Sequence, residues 1–304
     1  MKTNKLRYSL YLLLVMFVYV AKAQPELPLK NQVFSPLNTH KSTALQQHLQ
    51  EELFANPKWK KLLDTKKMTI AVVDLKDSSH VKYAGINDDY MMYSASLPKI
   101  AILFAVMHAI ENNEVADTER LKADLRLMIS KSSNSAATKM IDLVGYEKID
   151  DVLQRSEIPL YNKDTGGGLW VGKRYASSGR RYPDPLKGLS HAATAYQAAN
   201  FYYLIVYGEL INYARSKEML DILKDPKLNH KLVNTISSIA PNATLYRKSG
   251  TWKNYHADSI LVWGPDRRYI LVVLIEDAQG EQIIRNVVKP VELAIERSKS
   301  VNSE

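Results

Sequence analysis

The chain has 304 residues, with 41 Lys and Arg against 32 Asp and Glu, and it contains no cysteine. The absence of thiols excludes a cysteine nucleophile, cysteine-ligated metal, disulfide stapling and lipid attachment at an N-terminal cysteine. The basic excess is modest and no basic run is interleaved with aromatic residues, so a dedicated nucleic-acid binder is not expected.

The first 23 residues read as a secretory signal. Lys2, Lys5 and Arg7 precede an apolar segment from Ser9 to Val20, which ends at the small-x-small site Ala21-Lys22-Ala23. The segment is too short to span a bilayer comfortably, so cleavage after Ala23 is expected, with no stable membrane anchor afterwards. Removing the leader's four basic residues from 41 leaves 37 against 32 acidic ones, a balance near +5. The expected product is a periplasmic or secreted domain of residues 24–304, long enough for a large core in one domain or two intimate subdomains, with no internal repeat. A monomer is the expectation.

From Gln24 to Lys41, prolines 25, 28 and 36 predict an extended lead-in. Leu45, Leu49, Leu53 and Leu62 are spaced for helix from Ser42 to Leu63, with a break or new first turn at Pro57. Met68–Leu75 and Val81–Ala84 are apolar and β-branched and predict paired strands in a sheet covered on at least one face. Asn87-Asp88-Asp89 is a loop. The chain then enters Ser96-Leu97-Pro98-Lys99 and a run from Ile100 to Ile110 that is apolar nearly all round apart from His108, as in a buried helix.

Helical patterns continue over Asp117–Ile129, over a segment capped at Ser133/Asn134 that stops at Gly145, and over Tyr146–Arg155. Ile158–Leu189, with the triple glycine 166–168 and with Pro183 and Pro185, predicts a long irregular loop, a kind that is usually functional or disordered. Ser190 is expected to cap a long apolar helix through Ile211. Beyond Pro241, Ala243–Lys248, Ser259–Trp263 and Tyr269–Ile275 predict adjacent antiparallel strands, and Gln282–Lys299 a closing helix. The expected fold is therefore α+β. Both chain ends (about 42–92 and 243–304) build an antiparallel sheet flanked by terminal helices, around an inserted helical lobe (about 93–242).

Ser96 and Lys99 combine a helix N-terminus, which favours developing negative charge, with a lysine one turn further in. A buried lysine loses solvation of its charged form, its pKa falls, and it can take the proton of a serine. The same spacing recurs in Ser79-His80-Val81-Lys82, but between two strands, where period-two geometry points residues three apart to opposite faces. Two further motifs follow the first. Ser132-Ser133-Asn134 lies between two helices, and Lys248-Ser249-Gly250-Thr251 ends the first late strand.

Ser-x-x-Lys, Ser-x-Asn and Lys-Ser-Gly in this order resemble the penicillin-recognising serine hydrolases, the class A β-lactamases most closely, over nearly the whole mature chain. The resemblance implies an acyl-enzyme on Ser96, proton acceptance by Lys99, and a proton relay through Ser132 between Lys99 and Lys248. It also implies that Asn134 holds the substrate side chain and Lys99, and that Lys248 adds positive field. Ser249 and Thr251 would receive a substrate carboxylate, and the backbone N–H groups of Ser96 and Thr251 would form the oxyanion hole. Gly250 lets the strand edge approach a ligand closely.

No cofactor is implied, no metal-ligand spacing is present, and no Gly-x-Ser-x-Gly elbow supports a serine–histidine pair with His191 or His256. The triple glycine reads as loop punctuation.

The chain departs from the family pattern in three places. Ser133 stands where aspartate is usual, and the interval between the first two motifs is short. The long loop lacks the glutamate that activates the deacylating water: between Ile158 and Tyr207 the only acids are Asp164 and Asp184. Three readings remain at this point. One is an exported β-lactamase-like hydrolase of β-lactams or related amides and esters; another is a D-Ala-D-Ala carboxypeptidase-like or esterase enzyme. The third is a non-turnover peptidoglycan-binding or sensory module. The partner in each case is a small-molecule β-lactam or a peptidoglycan-derived peptide.

Overall fold

The computed structural model describes residues 25–155 and 159–299. The expected leader and cleavage site, and Ile158 at the start of the long loop, lie outside these residues. Helix α1 (Thr43–Phe54) starts where Ser42 Oγ accepts the Leu45 amide at 3.2 Å. Helix α2 (Pro57–Asp64) starts where Asn56 accepts the amides of Lys58 and Trp59, with Pro57 in a first turn that needs no N–H donor. Strands β1 (Met68–Asp74) and β2 (Lys82–Ile86) follow, then the short β3 (Met92–Tyr93).

The inserted lobe contains helices α3 (Lys99–Glu111), α4 (Glu119–Ser130), α5 (Asn134–Val144) and α6 (Tyr146–Leu153). The long loop carries β4 (Tyr161–Asn162), β5 (Gly167–Gly168) and β6 (Trp170–Val171), and β7 (His191–Ala193) follows it. Helices α7 (Ala195–Tyr207), α8 (Tyr213–Leu223) and α9 (Leu232–Ile239) complete the lobe. The chain returns through β8 (Thr244–Trp252), β9 (Tyr255–Trp263) and β10 (Arg268–Glu276), and ends in α10 (Gly280–Asn286) and α11 (Val288–Arg297).

The main sheet is antiparallel in the order β2-β1-β10-β9-β8, so the two chain ends meet where β1 pairs with β10. Strand β1 reads as a continuous apolar run because both its faces are covered. Ala71 and Val73 enter the core shared with the lobe, while Met68, Ile70 and Val72 enter the core beneath the terminal helices. Strand β10 alternates in the same way, Ile270, Val272 and Leu274 against Leu271, Val273 and Ile275. Helix α3 is buried from Lys99 to Ile110, as its nearly all-apolar sequence predicts.

Four details differ from the sequence expectation. The lobe is not wholly helical, since β3, β7 and β6 form a three-stranded sheet and β4 pairs with β5. Ser190 does not cap a helix: residues 191–193 form β7, where Ala192 and Ala193 pair with Tyr93 and Met92 and His191 with Val171, and the cap is Thr194, which accepts the Gln197 amide at 3.1 Å. Two small alanines follow His191, and pairing with a distant strand overrides their helical preference. Strand β8 runs on to Trp252, so the Lys248–Thr251 motif lies inside the strand, held by register with β9 from Ser259 to His256. The closing helix is broken near Val287, because Pro290 has no amide for the preceding turn.

Candidate active site

Strand β3 delivers the chain into a tight turn at Ser94–Pro98 whose amides close short loops: Leu97 N donates to Ser94 O at 3.1 Å and Lys99 N to Ser96 O at 3.3 Å. Ala95 enters this turn at φ +52°, a left-handed conformation uncommon for a residue with a side chain. Ser96 is left half-buried on the floor of a cleft of about 900 Å³. Strand β8 lies directly against the turn. A Cβ on Gly250 would stand 2.1 Å from Ser94 O and 2.7 Å from Ser96 N, so glycine is required there by close approach.

Lys99 is the first residue of α3 and has 0% exposure. Its Nζ donates to Ser132 O at 2.7 Å and to Asn134 Oδ1 at 2.8 Å, and lies 3.5 Å from Ser132 Oγ. Burial pushes its pKa down to about 7. Among the described residues none of its hydrogen bonds goes to Ser96; the lysine is anchored by the second motif.

Ser132 holds φ +56° in the turn between α4 and α5, which aims both its carbonyl and its hydroxyl inward. Ser133 caps α5 by accepting the Ala136 amide at 3.2 Å, so the position at which aspartate is usual serves the helix end.

Lys248 is 1% exposed and donates to Ser132 Oγ at 2.9 Å and to Ser249 O at 2.6 Å. Desolvation, and then the nearby Lys99, hold its pKa well below the ordinary lysine value. Ser249 is buried beside it, whereas Thr251 is exposed at the cleft. The three motifs thus meet in one hydrogen-bonded chain, Asn134–Lys99–Ser132–Lys248, next to Ser96.

Other residues of the site were not anticipated from the sequence, or, like His191, were weighed there only as a partner for a serine. Tyr175, from the long loop, donates its hydroxyl to Ala95 O at 3.1 Å, and its ring lies 4.4 Å from Lys99 Nζ. His191 packs on the same ring with centroids 4.2 Å apart, and its Nε2 lies 2.9 Å from Lys173 O. Behind the third motif, Lys231 is fully buried and donates to Gly250 O at 2.5 Å, Thr251 Oγ1 at 2.7 Å and Ala257 O at 3.1 Å. Its pKa is lowered to about 8, chiefly by burial. Arg247 and Asp258 form a buried two-pronged pair at 2.6 and 2.8 Å, and Arg247 also binds the carbonyls of Leu228 and His230, which fixes the segment that carries Lys231. No local pattern in the sequence marks these partners, because the contacts join separate segments of the chain.

The two loop acids are occupied elsewhere. Asp184 is 2% exposed and accepts the amides of Leu186 at 3.0 Å and Lys187 at 2.9 Å, together with that of Leu189, so its carboxylate organises the loop's own backbone. Asp164 is exposed and pairs with Lys163 at 3.1 Å. His191 is held neutral by burial, its pKa lowered to about 4, and His256 sits beneath Gly280; neither is hydrogen-bonded to Ser96. Gly166 and Gly167 adopt φ +93° and +89° against Asp89 and Met91, which is a turn.

The profile of the β-lactamase enzyme family matches residues 58–125 and 120–293. No curated protein matches the sequence. Among solved structures, a leucine-to-glutamate mutant of PBP-A in an acyl-enzyme complex with penicillin G is similar, with 21% identity, TM-score 0.64, and coverage of 87% of this chain and all of that one. A β-lactamase from Sphaerobacter thermophilus is similar at 16% identity and TM-score 0.61, covering 82% of this chain and 95% of its own. A class A β-lactamase from Mycobacterium abscessus is similar at 15% identity and TM-score 0.62, covering 82% and 99%. At these identities the structures establish the shared fold, while the family profile spans well over half of the chain. With its antiparallel sheet, inserted lobe and three motifs gathered at one cleft, the chain belongs to the β-lactamase enzyme family.

Proposed function

We propose that the protein is an exported serine hydrolase that forms an acyl-enzyme on Ser96 with β-lactams or related amides and esters. The observation that carries this reading is the buried chain Asn134–Lys99–Ser132–Lys248, in which Lys99 has a pKa of about 7 and so is substantially neutral at neutral pH. Ser96 Oγ attacks the carbonyl carbon as its proton passes to Lys99, and the developing oxyanion is met by the N–H groups of Ser96 and Thr251. The C–N bond then breaks and the leaving nitrogen takes a proton through Ser132, which stands between the two lysines. The substrate carboxylate is received by Ser249 and Thr251, the latter braced by Lys231 from behind. Asn134 orients Lys99 and the acyl side chain.

Hydrolysis of the ester is the slow half. The loop offers no free carboxylate, since Asp184 is bound to backbone amides and Asp164 points to solvent, and the Tyr175 ring covers Lys99. Lys99, having handed on its proton, is the group left to activate water. The same observation favours a second reading, a D-Ala-D-Ala carboxypeptidase-like enzyme, for which a slowly hydrolysed penicillin adduct is ordinary behaviour. Mass spectrometry after mixing with a penicillin tests both. A lasting adduct on Ser96 is expected. Rapid turnover without accumulation shows an efficient lactamase, and no adduct shows a pocket that only binds.

A further inference from the structure

The wall of the Ser96 cleft is lined by Lys173, Arg174, Arg181 and Lys253 and, among the described residues, by no aspartate or glutamate. Arg174 is neutralised by Asp142 at 2.6 Å. The other three have no carboxylate within ion-pair distance among the described residues.

Lys173 and Arg181 face each other across an antiparallel bridge between two segments of the long loop. Residues directly opposed in this way share one face, and like charges there repel. The backbone nevertheless holds them together. Gly172 N donates to Ser190 O at 2.6 Å, Tyr182 N donates to Gly172 O at 2.7 Å, and a Cβ on Gly172 would stand 1.9 Å from Tyr182 O.

Across the cleft, Lys253 occupies the first position of the two-residue turn between β8 and β9 at φ +51°, where glycine or asparagine would be the unstrained choice. Beside it Trp252 is 57% exposed. The rim therefore has uncompensated cations on both walls, one pair held against its own repulsion and one lysine in a strained turn, next to a flat aromatic surface.

We propose that this rim is a second anion subsite, selecting acyl donors that carry a side-chain carboxylate in addition to the carboxylate received by Ser249 and Thr251. The inference rests on the acyl-enzyme reading of Ser96. Its substrates are dianionic, and a planar group near the second carboxylate would lie on Trp252.

The test uses two penicillins that differ by one side-chain carboxylate, benzylpenicillin and α-carboxybenzylpenicillin, with the second-order rate of Ser96 labelling as the readout. At low ionic strength the dianion is expected to react roughly 5- to 20-fold faster, and 0.5 M NaCl should shrink that ratio to about 2. In Lys253→Gly, which suits the turn's backbone, the ratio falls by about half, and in Lys173→Ala/Arg181→Ala/Lys253→Gly it approaches 1. Equal rates in the wild type, or a preference that survives the triple variant, overturn the subsite alone. Absence of labelling by both compounds overturns the acyl-enzyme reading and the subsite with it.

Discussion

Two segments of this chain carry serine and lysine three residues apart, and their surroundings could hardly differ more. Around Ser79, the hydroxyl donates to Asp77 at 2.5 Å and His80 lies 2.9 Å from the same carboxylate, in a turn where the His80 and Asp77 side chains are 80% and 62% exposed. Lys82 opens β2 and donates to Ser298 O at 2.8 Å. Around Ser96, the lysine is wholly buried, its charge is poorly solvated, and two other motifs converge on it. Spacing alone does not make a nucleophile. On the function proposed above, desolvation of the base does, and only packing supplies it.

The sharpest break of the comparison is to remove each serine in turn. Ser96→Ala is expected to abolish penicillin labelling, at least about 10³-fold, with the fold intact because a single hydroxyl leaves almost no cavity. Ser79→Ala should leave labelling unchanged. Intact-mass measurements on both variants decide the matter, and parental labelling of the Ser96 variant would overturn the assignment.

Next in size is the base. Lys99→Met keeps the volume and should slow acylation by about 10²-fold or more. In the parent, the acylation rate should climb with pH through about 7 and level off above, since in the proposed mechanism the reactive form of Lys99 is the neutral one. The methionine variant should lose that limb. Stability carries the same signature. Because the folded-state pKa is depressed to about 7 from 10.5, the unfolded chain binds the extra proton between those values, so Lys99 burial opposes folding at neutral pH and opposes it less as pH rises. Denaturant titrations between pH 7.5 and 9.5 should show the variant's stability rising less steeply, by up to ~1.4 kcal/mol per pH unit.

A smaller effect is expected at Tyr175. Tyr175→Ala opens Lys99 to water, which should slow acylation about tenfold and move the ascending limb to higher pH as solvation of the ammonium is restored. Tyr175→Phe keeps the ring and loses only the bond to Ala95 O, so its limb should stay in place. Identical profiles for the two variants would remove the ring from the account of how Lys99 is kept dry.

The smallest kinetic effect belongs to Asp184. Asp184→Asn should leave deacylation within about twofold of the parent, while costing about 1–3 kcal/mol in thermal or denaturant stability, because a carboxylate that accepts several amides is replaced by a group with one acceptor oxygen. Loss of turnover without loss of stability would instead make this aspartate the water-activating group.

By itself the sequence determined the α+β organisation, the buried helix after Ser96 and the order of the three motifs. These are local signals of period, capping and apolar runs, and each is written in consecutive residues. Tertiary structure decided the rest. It showed that Lys99 is anchored by Ser132 and Asn134 rather than by Ser96, that β8 extends through Thr251 by register with β9, and that His191–Ala193 is strand rather than helix. It also brought in Tyr175 and Lys231, and spent Asp184 on its own loop. The physical reason is common to all of these. Desolvation, strand register and long-range hydrogen bonds depend on which distant segments are packed together, and no window of neighbouring residues contains that information.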